Sequence, residues 1–300
     1  MRAPRLTLAC LVLLALPASA RVVAVAEERP LAAAQAFHLR VEAGSVQVRP
    51  GPSGAVRFEA ALAPGQRVLW RESADRRVLV IDDSERLSPR PAALRISVPP
   101  EATLVLHLGG ASLDLLGVGA RRLVVRGAAE ARVAGAFAAV DIVADGPVDL
   151  RLDDPSGDVR AEGSAVRLLA SGAADAVSVN ARSGPATLDL ESPRRVRATS
   201  TAGAITLRLG QAANADVLLE SLSGDLRIDL VEAWPGSIIP LLARGEVDIP
   251  EAMTPRRVPA AGGTGEGGRL VLRSFSGNAR VAVVARPAGA VPGRDTATPD

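Results

Sequence analysis

Val217-Leu218-Leu219-Glu220-Ser221-Leu222-Ser223-Gly224-Asp225-Leu226-Arg227-Ile228-Asp229-Leu230 is the stretch that decides the fold. Counted from Val217, the residues Val217, Leu219, Ser221, Gly224, Leu226, Ile228 and Leu230 stand at offsets 0, 2, 4, 7, 9, 11 and 13. Three other segments share those offsets: Val177, Val179, Ala181, Gly184, Ala186, Leu188, Leu190; Val196, Ala198, Ser200, Gly203, Ile205, Leu207, Leu209; and Leu270, Leu272, Ser274, Gly277, Ala279, Val281, Val283. A period of two places the aliphatics on one face of a strand and Arg, Asp, Thr and Glu on the other, as in a half-buried sheet. Each unit therefore reads as two strands meeting at a glycine turn. Gly184, Gly203, Gly224 and Gly277, with Gly44 in an upstream copy, are expected to supply a positive φ there.

Working outward, Phe37, Leu39, Val41, Gly44, Val46 and Val48 repeat the pattern, and Leu104 to Leu115 repeats it with Ala111 in place of the glycine. A copy one residue shorter runs from Val140 to Leu152, and worn versions lie near Leu123 to Val133 and Val159 to Ala170. Units begin 19 residues apart at Val177 and Val196, and 21 apart at Val196 and Val217. That length suits one coil of two short strands and two turns, with the next coil stacked ~4.8 Å away. The fold class expected is all-β, a β-helix-like solenoid of ~20-residue coils. An antiparallel β-sandwich is the alternative, since many alternating strands at short spacing also fit it. In the solenoid, Leu188, Leu190, Ile205, Leu207, Leu209, Leu226, Ile228, Leu230, Val281 and Val283 form inward ladders.

Three regions depart from the pattern. Residues 50–100 carry looser strand-like runs and are expected to form irregular starting coils or a cap. Residues 231–268 stretch the unit spacing to 53, hold five Pro and end in a glycine-rich run, which reads as a loop insertion. Residues 286–300 are rich in Pro, Gly, Ala and Thr and read as a disordered tail.

At the other end, Arg2 and Arg5 precede the apolar run Leu6 to Leu16, and Ala18-Ser19-Ala20 follows, the pattern of a secretory signal cleaved after Ala20. The apolar run is shorter than the ~20 residues of a spanning helix, so no membrane span is expected after cleavage. Cys10 is the single cysteine and lies within this leader, which leaves residues 21–285, the expected solenoid domain, without thiol chemistry. Export points to a periplasmic or secreted protein.

Composition removes several function classes. The chain has no Lys, no Tyr, six aromatics and two His. Without Arg2 and Arg5, 33 Arg balance 33 acidic residues, so the high isoelectric point belongs to the leader. The arginines are spread among acids and there are too few aromatics for base stacking, so nucleic acid is not an expected partner.

Ser223-Gly224-Asp225-Leu226-Arg227-Ile228-Asp229-Leu230, Ser274-Phe275-Ser276-Gly277-Asn278-Ala279-Arg280-Val281 and Leu94-Arg95-Ile96-Ser97-Val98-Pro99-Pro100 resemble the bacterial putative-adhesin family of β-strand-repeat domains, also called toastrack domains. The resemblance spans about residues 35–285. It implies an exported or envelope-associated β-solenoid and brings no catalytic residues with it. The proline-rich 231–268 segment departs from the simplest family pattern.

The remaining motifs carry little chemistry. Gly263, Gly265 and Gly268 satisfy G-x-G-x-x-G, but a strand-like run follows where a dinucleotide site needs a helix, so no cofactor is expected. The same tract lacks the aspartate of a calcium-roll repeat and occurs once. Asp153, Asp154 and Asp158 form the densest acidic cluster and read as a solvated turn, and no metal is expected. His38 and His107 each alternate outward, in different units, with no triad or zinc arrangement around them. Outward Asp189, Arg208, Arg227, Asp229 and Arg280 are expected to stack as charge ladders, with an acidic-glycan site as the sharper reading.

The function expected is a non-enzymatic, adhesin-like module binding an envelope or extracellular partner, protein or glycan. A polysaccharide-processing β-helix enzyme, and an envelope scaffold that docks a membrane protein through 231–268, are the rivals.

Overall fold

The computed structural model describes residues 23–32, 35–83, 88–100, 102–211, 214–253 and 268–285. The expected leader and tail, and residues 262–267 of the glycine-rich run, lie outside them.

The repeats with shared offsets form β16 (Ala176–Ala181) and β17 (Ala186–Leu190), β18 (Arg195–Ser200) and β19 (Ile205–Leu209), β20 (Asp216–Ser221) and β21 (Leu226–Leu230), and β24 (Arg269–Ser274) and β25 (Ala279–Val283). Upstream coils are β2 (Ala36–Val41) with β3 (Gly44–Pro50), β6 (Arg76–Asp82) with β7 (Ala92–Val98), β8 (Ala102–Leu108) with β9 (Ser112–Leu116), β10 (Ala120–Ala128) with β11 (Glu130–Gly135), β12 (Phe137–Ala144) with β13 (Val148–Asp153), and β14 (Asp158–Gly163) with β15 (Val166–Ser171). The first strand of every coil joins a 12-stranded front sheet and the second a 13-stranded back sheet. Coil stacks on coil with parallel, in-register pairing: Val177, Val196, Val217 and Leu270 are successive partners in front, and Leu188, Leu207, Ile228 and Val281 behind.

This is the all-β solenoid, flattened into two facing sheets. Parallel strands need a crossover, and here the crossover from one strand to its parallel neighbour is the facing strand itself. Antiparallel pairing is confined to one end, so the sandwich alternative does not describe the protein.

Inward residues of both sheets make one continuous core. Leu188, Leu190, Ile205, Leu207, Leu209, Leu226, Ile228, Leu230 and Val281 are all buried as expected. Val283 is not: it is 49% exposed. Leu230 covers it on one side, but the strand on its other side is only two residues long and pairs with Ala279 and Arg280, leaving the far end of β25 uncovered.

The turn glycines are needed for a different reason than expected. Among them only Gly44 has a positive φ, +117°. At the others the constraint is the neighbouring coil. A Cβ on Gly203 would lie 1.9 Å from the Gly184 carbonyl oxygen, one on Gly224 2.1 Å from that of Gly203, and one on Gly277 2.1 Å from that of Gly224. On Gly184 it would lie 2.8 Å from the Ala165 Cβ. The glycines stack in a column in which each coil's backbone occupies the space a side chain would need.

The serine three residues before Gly203, Gly224 and Gly277, replaced by Ala181 before Gly184, is the second device the alternation conceals. Ser200, Ser221 and Ser274 are buried, yet each hydroxyl oxygen accepts a hydrogen bond from the turn glycine's N–H, at 2.9, 2.8 and 2.9 Å for Gly203, Gly224 and Gly277. Serine at offset 4 thus closes its own turn. Ser221→Ala leaves the Gly224 N–H without that partner and is expected to cost about 1–3 kcal/mol, measured by chemical denaturation; an unchanged midpoint would remove the role.

Both ends break sequence order. At one end β6/β7 stacks outside β2/β3, which lies between it and β8/β9. There the expected cap is real: β1 (Val23–Pro30) and β4 (Ala55–Leu62) extend the back sheet antiparallel, and β5 (Arg67–Glu72) extends the front. Phe58 and Phe37 pack on Trp70 at ring-centre distances of 5.6 and 6.5 Å, and the Trp70 indole N–H donates to Glu27 at 3.1 Å, tying front to back. Arg77 occupies the inward register position of Phe37, where it is buried and paired with Glu72.

At the opposite end, the described part of the segment expected as a loop insertion, residues 231–253, contributes a coil. β22 (Ser237–Leu242) and β23 (Val247–Asp248) lie outermost, and β24/β25 fill the place between them and β20/β21. Trp234, Ile238 and Met253 are buried in the core. The proline that argued for a loop, Pro240, sits in an edge strand, where a missing N–H is tolerated and discourages further pairing. Residues 237–248 therefore close this end of the stack as its outermost coil.

Candidate functional site: the outer faces of the sheets

Because register is kept from coil to coil, outward residues also align in rows. On the back sheet Asp114, Arg132, Asp149 and Arg167 are successive partners on β9, β11, β13 and β15. Asp114 is held by Arg49 at 2.7 Å, while one carboxylate oxygen each of Asp114 and Asp149 is buried without a hydrogen-bond partner. Shallow grooves of about 370 and 280 Å³ flank Asp149, bordered by Arg132 and Arg151 on one side and Arg167 on the other. A third, of about 460 Å³, lies near the cap between Val25, Gln47 and Arg95.

The expected charge ladder forms only in part. Asp189 pairs with Arg208 across coils at 3.9 Å, and Arg280 with Asp248 at 3.4 Å. Asp229 is taken instead by Arg227 of its own strand, at 3.1 Å. Exposed pairs of this kind contribute ~0–1 kcal/mol and chiefly keep the face soluble.

On the front sheet the structure brings together the two histidines that the sequence kept apart. His38 on β2 is the register partner of Val105, and His107 that of Arg40, so the imidazoles are diagonal neighbours on adjacent strands. Their adjacency follows from the displaced β6/β7 coil, which puts β8 directly beside β2, and no spacing rule in the sequence reveals it. Partial burial lowers the His38 pKa below its ordinary value, Arg76 and His107 lower it further, and Asp75 opposes them. Arg40, paired with Glu42 at 2.9 Å, and Arg126, paired with Asp141, sit in the His107 row. Arg122 lies two outward rows over, beside Thr103, with the His38 row between. Arg40 and Arg126 are offset by their carboxylates, and the patch gains positive charge at His38 as pH falls.

Asp153, Asp154 and Asp158 are exposed, and among the described residues no three His, Cys, Asp or Glu side chains gather as metal ligands. No helix among them is long and apolar enough to cross a membrane.

Fold and faces together define a two-sheet parallel β-solenoid whose outward chemistry is arranged in rows. No family model matches the chain, and no curated protein does. Solved structures similar to it include a "putative cell adhesion protein" from Clostridium sporogenes, at 9% identity over 87% of this chain and 100% of that one, with a TM-score of 0.27. A "putative adhesin" from Bacteroides fragilis is 11% identical over 87% and 97%, with a TM-score of 0.37. A "putative lipid binding protein" from Parabacteroides distasonis is 10% identical over 87% and 96%, with a TM-score of 0.42. At these values no residue role passes from them to this chain.

Proposed function

We propose that the chain is an exported, non-enzymatic, adhesin-like interaction module, acting in the periplasm or outside the cell on an extended envelope or extracellular partner. The observation that carries this reading is the coil-to-coil register of the outer faces, which repeats side-chain positions about every 4.8 Å along the stack. A rigid face of that kind offers many weak contacts to a polymer and few to a small substrate. The leader pattern supports export, and the scarcity of His, the absence of Lys and Tyr and the lack of cysteine beyond the leader support a non-enzymatic role.

The patch around His38 and His107 favours an acidic glycan among such partners. A protonated imidazole attracts carboxylates, and the lowered pKa of His38 means that its charge arrives only as pH drops below the ordinary histidine range. Binding of the purified chain to alginate or polygalacturonate is expected to tighten at least about threefold from pH 7.5 to pH 5.5, and His38→Gln to abolish that gain. Chain shortening or unsaturated products would replace the module reading with the enzymatic one.

A further inference from the structure

The strict alternation of apolar and polar residues fails in three adjacent front-sheet strands at one end of the stack, as it also does in β6, β8 and β10 toward the other. Val217-Leu218-Leu219, Leu270-Val271-Leu272 and Ile238-Ile239 are continuous aliphatic runs, the pattern of strands covered on both faces. The inward members are buried in the core, while Leu218, Val271 and Ile239 point outward as register partners on β20, β24 and β22, with exposed Leu241 beside them. An aliphatic strip thus crosses the outer face at this end of the stack. The segments that leave this end offer little to cover it: residues 254–267 and 286–300 contain one valine each, Val258 and Val291, and no Leu, Ile or Phe.

Two charged rails border the strip, and both have the same polarity. Asp216 on β20 pairs with Arg269 on β24 at 3.3 Å, and Glu220 on β20 pairs with Arg273 on β24 at 2.5 Å. Both acids are on one strand and both arginines on the next.

We propose that this strip docks a second copy of the same chain, face to face, about a two-fold axis parallel to the strands and midway between β20 and β24. That operation lays Leu218 on the partner copy's Val271 position, Asp216 on its Arg269 position and Glu220 on its Arg273 position. Arg197 then meets the Ile239 position and Arg195 the Ser237 position, so no like charges oppose. An axis running along the stack would instead set Asp216 against Glu220, which is repulsive. The rails select the first arrangement. An isologous interface requires this kind of self-complementarity. The strip spans few strands beside the ~800 Å² per partner of a standard interface, so a dissociation constant on the order of 10 µM is expected.

The test is a charge swap. One variant carries Asp216→Arg and Glu220→Arg, the other Arg269→Glu and Arg273→Glu; all four sites are outward, and circular dichroism checks that the fold is kept. By analytical ultracentrifugation the wild type is expected to dimerise reversibly, and each variant alone to be weakened at least about tenfold. The equimolar mixture is expected to regain the dimer, because each positive pair of rails then faces a negative one. A wild type that remains monomeric at about 100 µM, or a dimer indifferent to both variants, overturns the proposal. A monomer that floats with phosphatidylcholine vesicles through Leu218 and Val271 overturns it in favour of a lipid surface. Glycan binding at the His38 patch is read separately and does not depend on this outcome.

Discussion

Gly224→Ala is expected to lower the melting temperature by about 6–12 °C, a larger loss than any exposed substitution in this chain should produce. The added Cβ would lie 2.1 Å from the Gly203 carbonyl oxygen, 2.5 Å from its carbon and 2.9 Å from the Ala204 nitrogen, all of them backbone atoms of the neighbouring coil. A side chain can rotate away from an intruding methyl, whereas a backbone held in two ladders has to move the coil. Overpacking of this kind costs ~3 kcal/mol or more, and a chain of this size loses roughly 2–4 °C per kcal/mol. Gly119→Ala is the control, since its Cβ would come no nearer than 3.8 Å, to the Ala136 carbonyl oxygen. Thermal denaturation of the two variants side by side decides the matter: equal midpoints would mean that the glycine column is incidental.

Leu207→Asp and Ile228→Asp are expected to prevent folding of the central coils, while Thr206→Asp and Arg227→Asp stay within about 0.5 kcal/mol of the parent. Leu207 and Ile228 are fully buried register partners, so an aspartate at either site loses ~1.5–3 kcal/mol of apolar burial and places a carboxylate where nothing can solvate or pair it. Thr206 and Arg227, one residue earlier on the same strands, face water. The contrast is read as soluble yield and far-ultraviolet circular dichroism. Comparable damage from both pairs would reverse the facing of the back sheet.

These two sets of residues also mark how far the sequence could be read. The inward ladder was legible because alternation, register and burial are all consequences of one pleat: a period of two at fixed offsets specifies which face is dry. The glycines were legible as positions but not as causes. A glycine chosen for positive φ and one chosen because a carbonyl lies against it look identical in a sequence, and only Gly44 here has the former. Val283 satisfied every offset and is nevertheless exposed, since its burial depends on how long the strand beyond it is, and that strand stops at Asp248. Candidate surface sites were the least legible. His38 and His107 stand in separate units, and they become neighbours because the intervening coil is laid on the far side of the first one, a choice of stacking order that periodicity does not encode. The same blindness hid the terminal coil formed by β22 and β23, whose second strand is too short, and whose first contains a proline, to match the repeat.

The departure from sequence order at the two extremities bears on how the molecule would respond to tension. In a simple stack the last turn of chain is also the outermost, and a pull on the tail strips one layer after another against a single row of hydrogen bonds. Here a load applied at Ala285 first meets Val281 to Val283, held by β21 alone, and then Ala279, Arg280 and β24, which are gripped from both sides, while a load at the opposite end, once β1 has come away, meets β2 and β3 between two neighbours. Past those first residues, unravelling must shear two rows of hydrogen bonds together, so the ends resist peeling more than a stack laid in sequence order would.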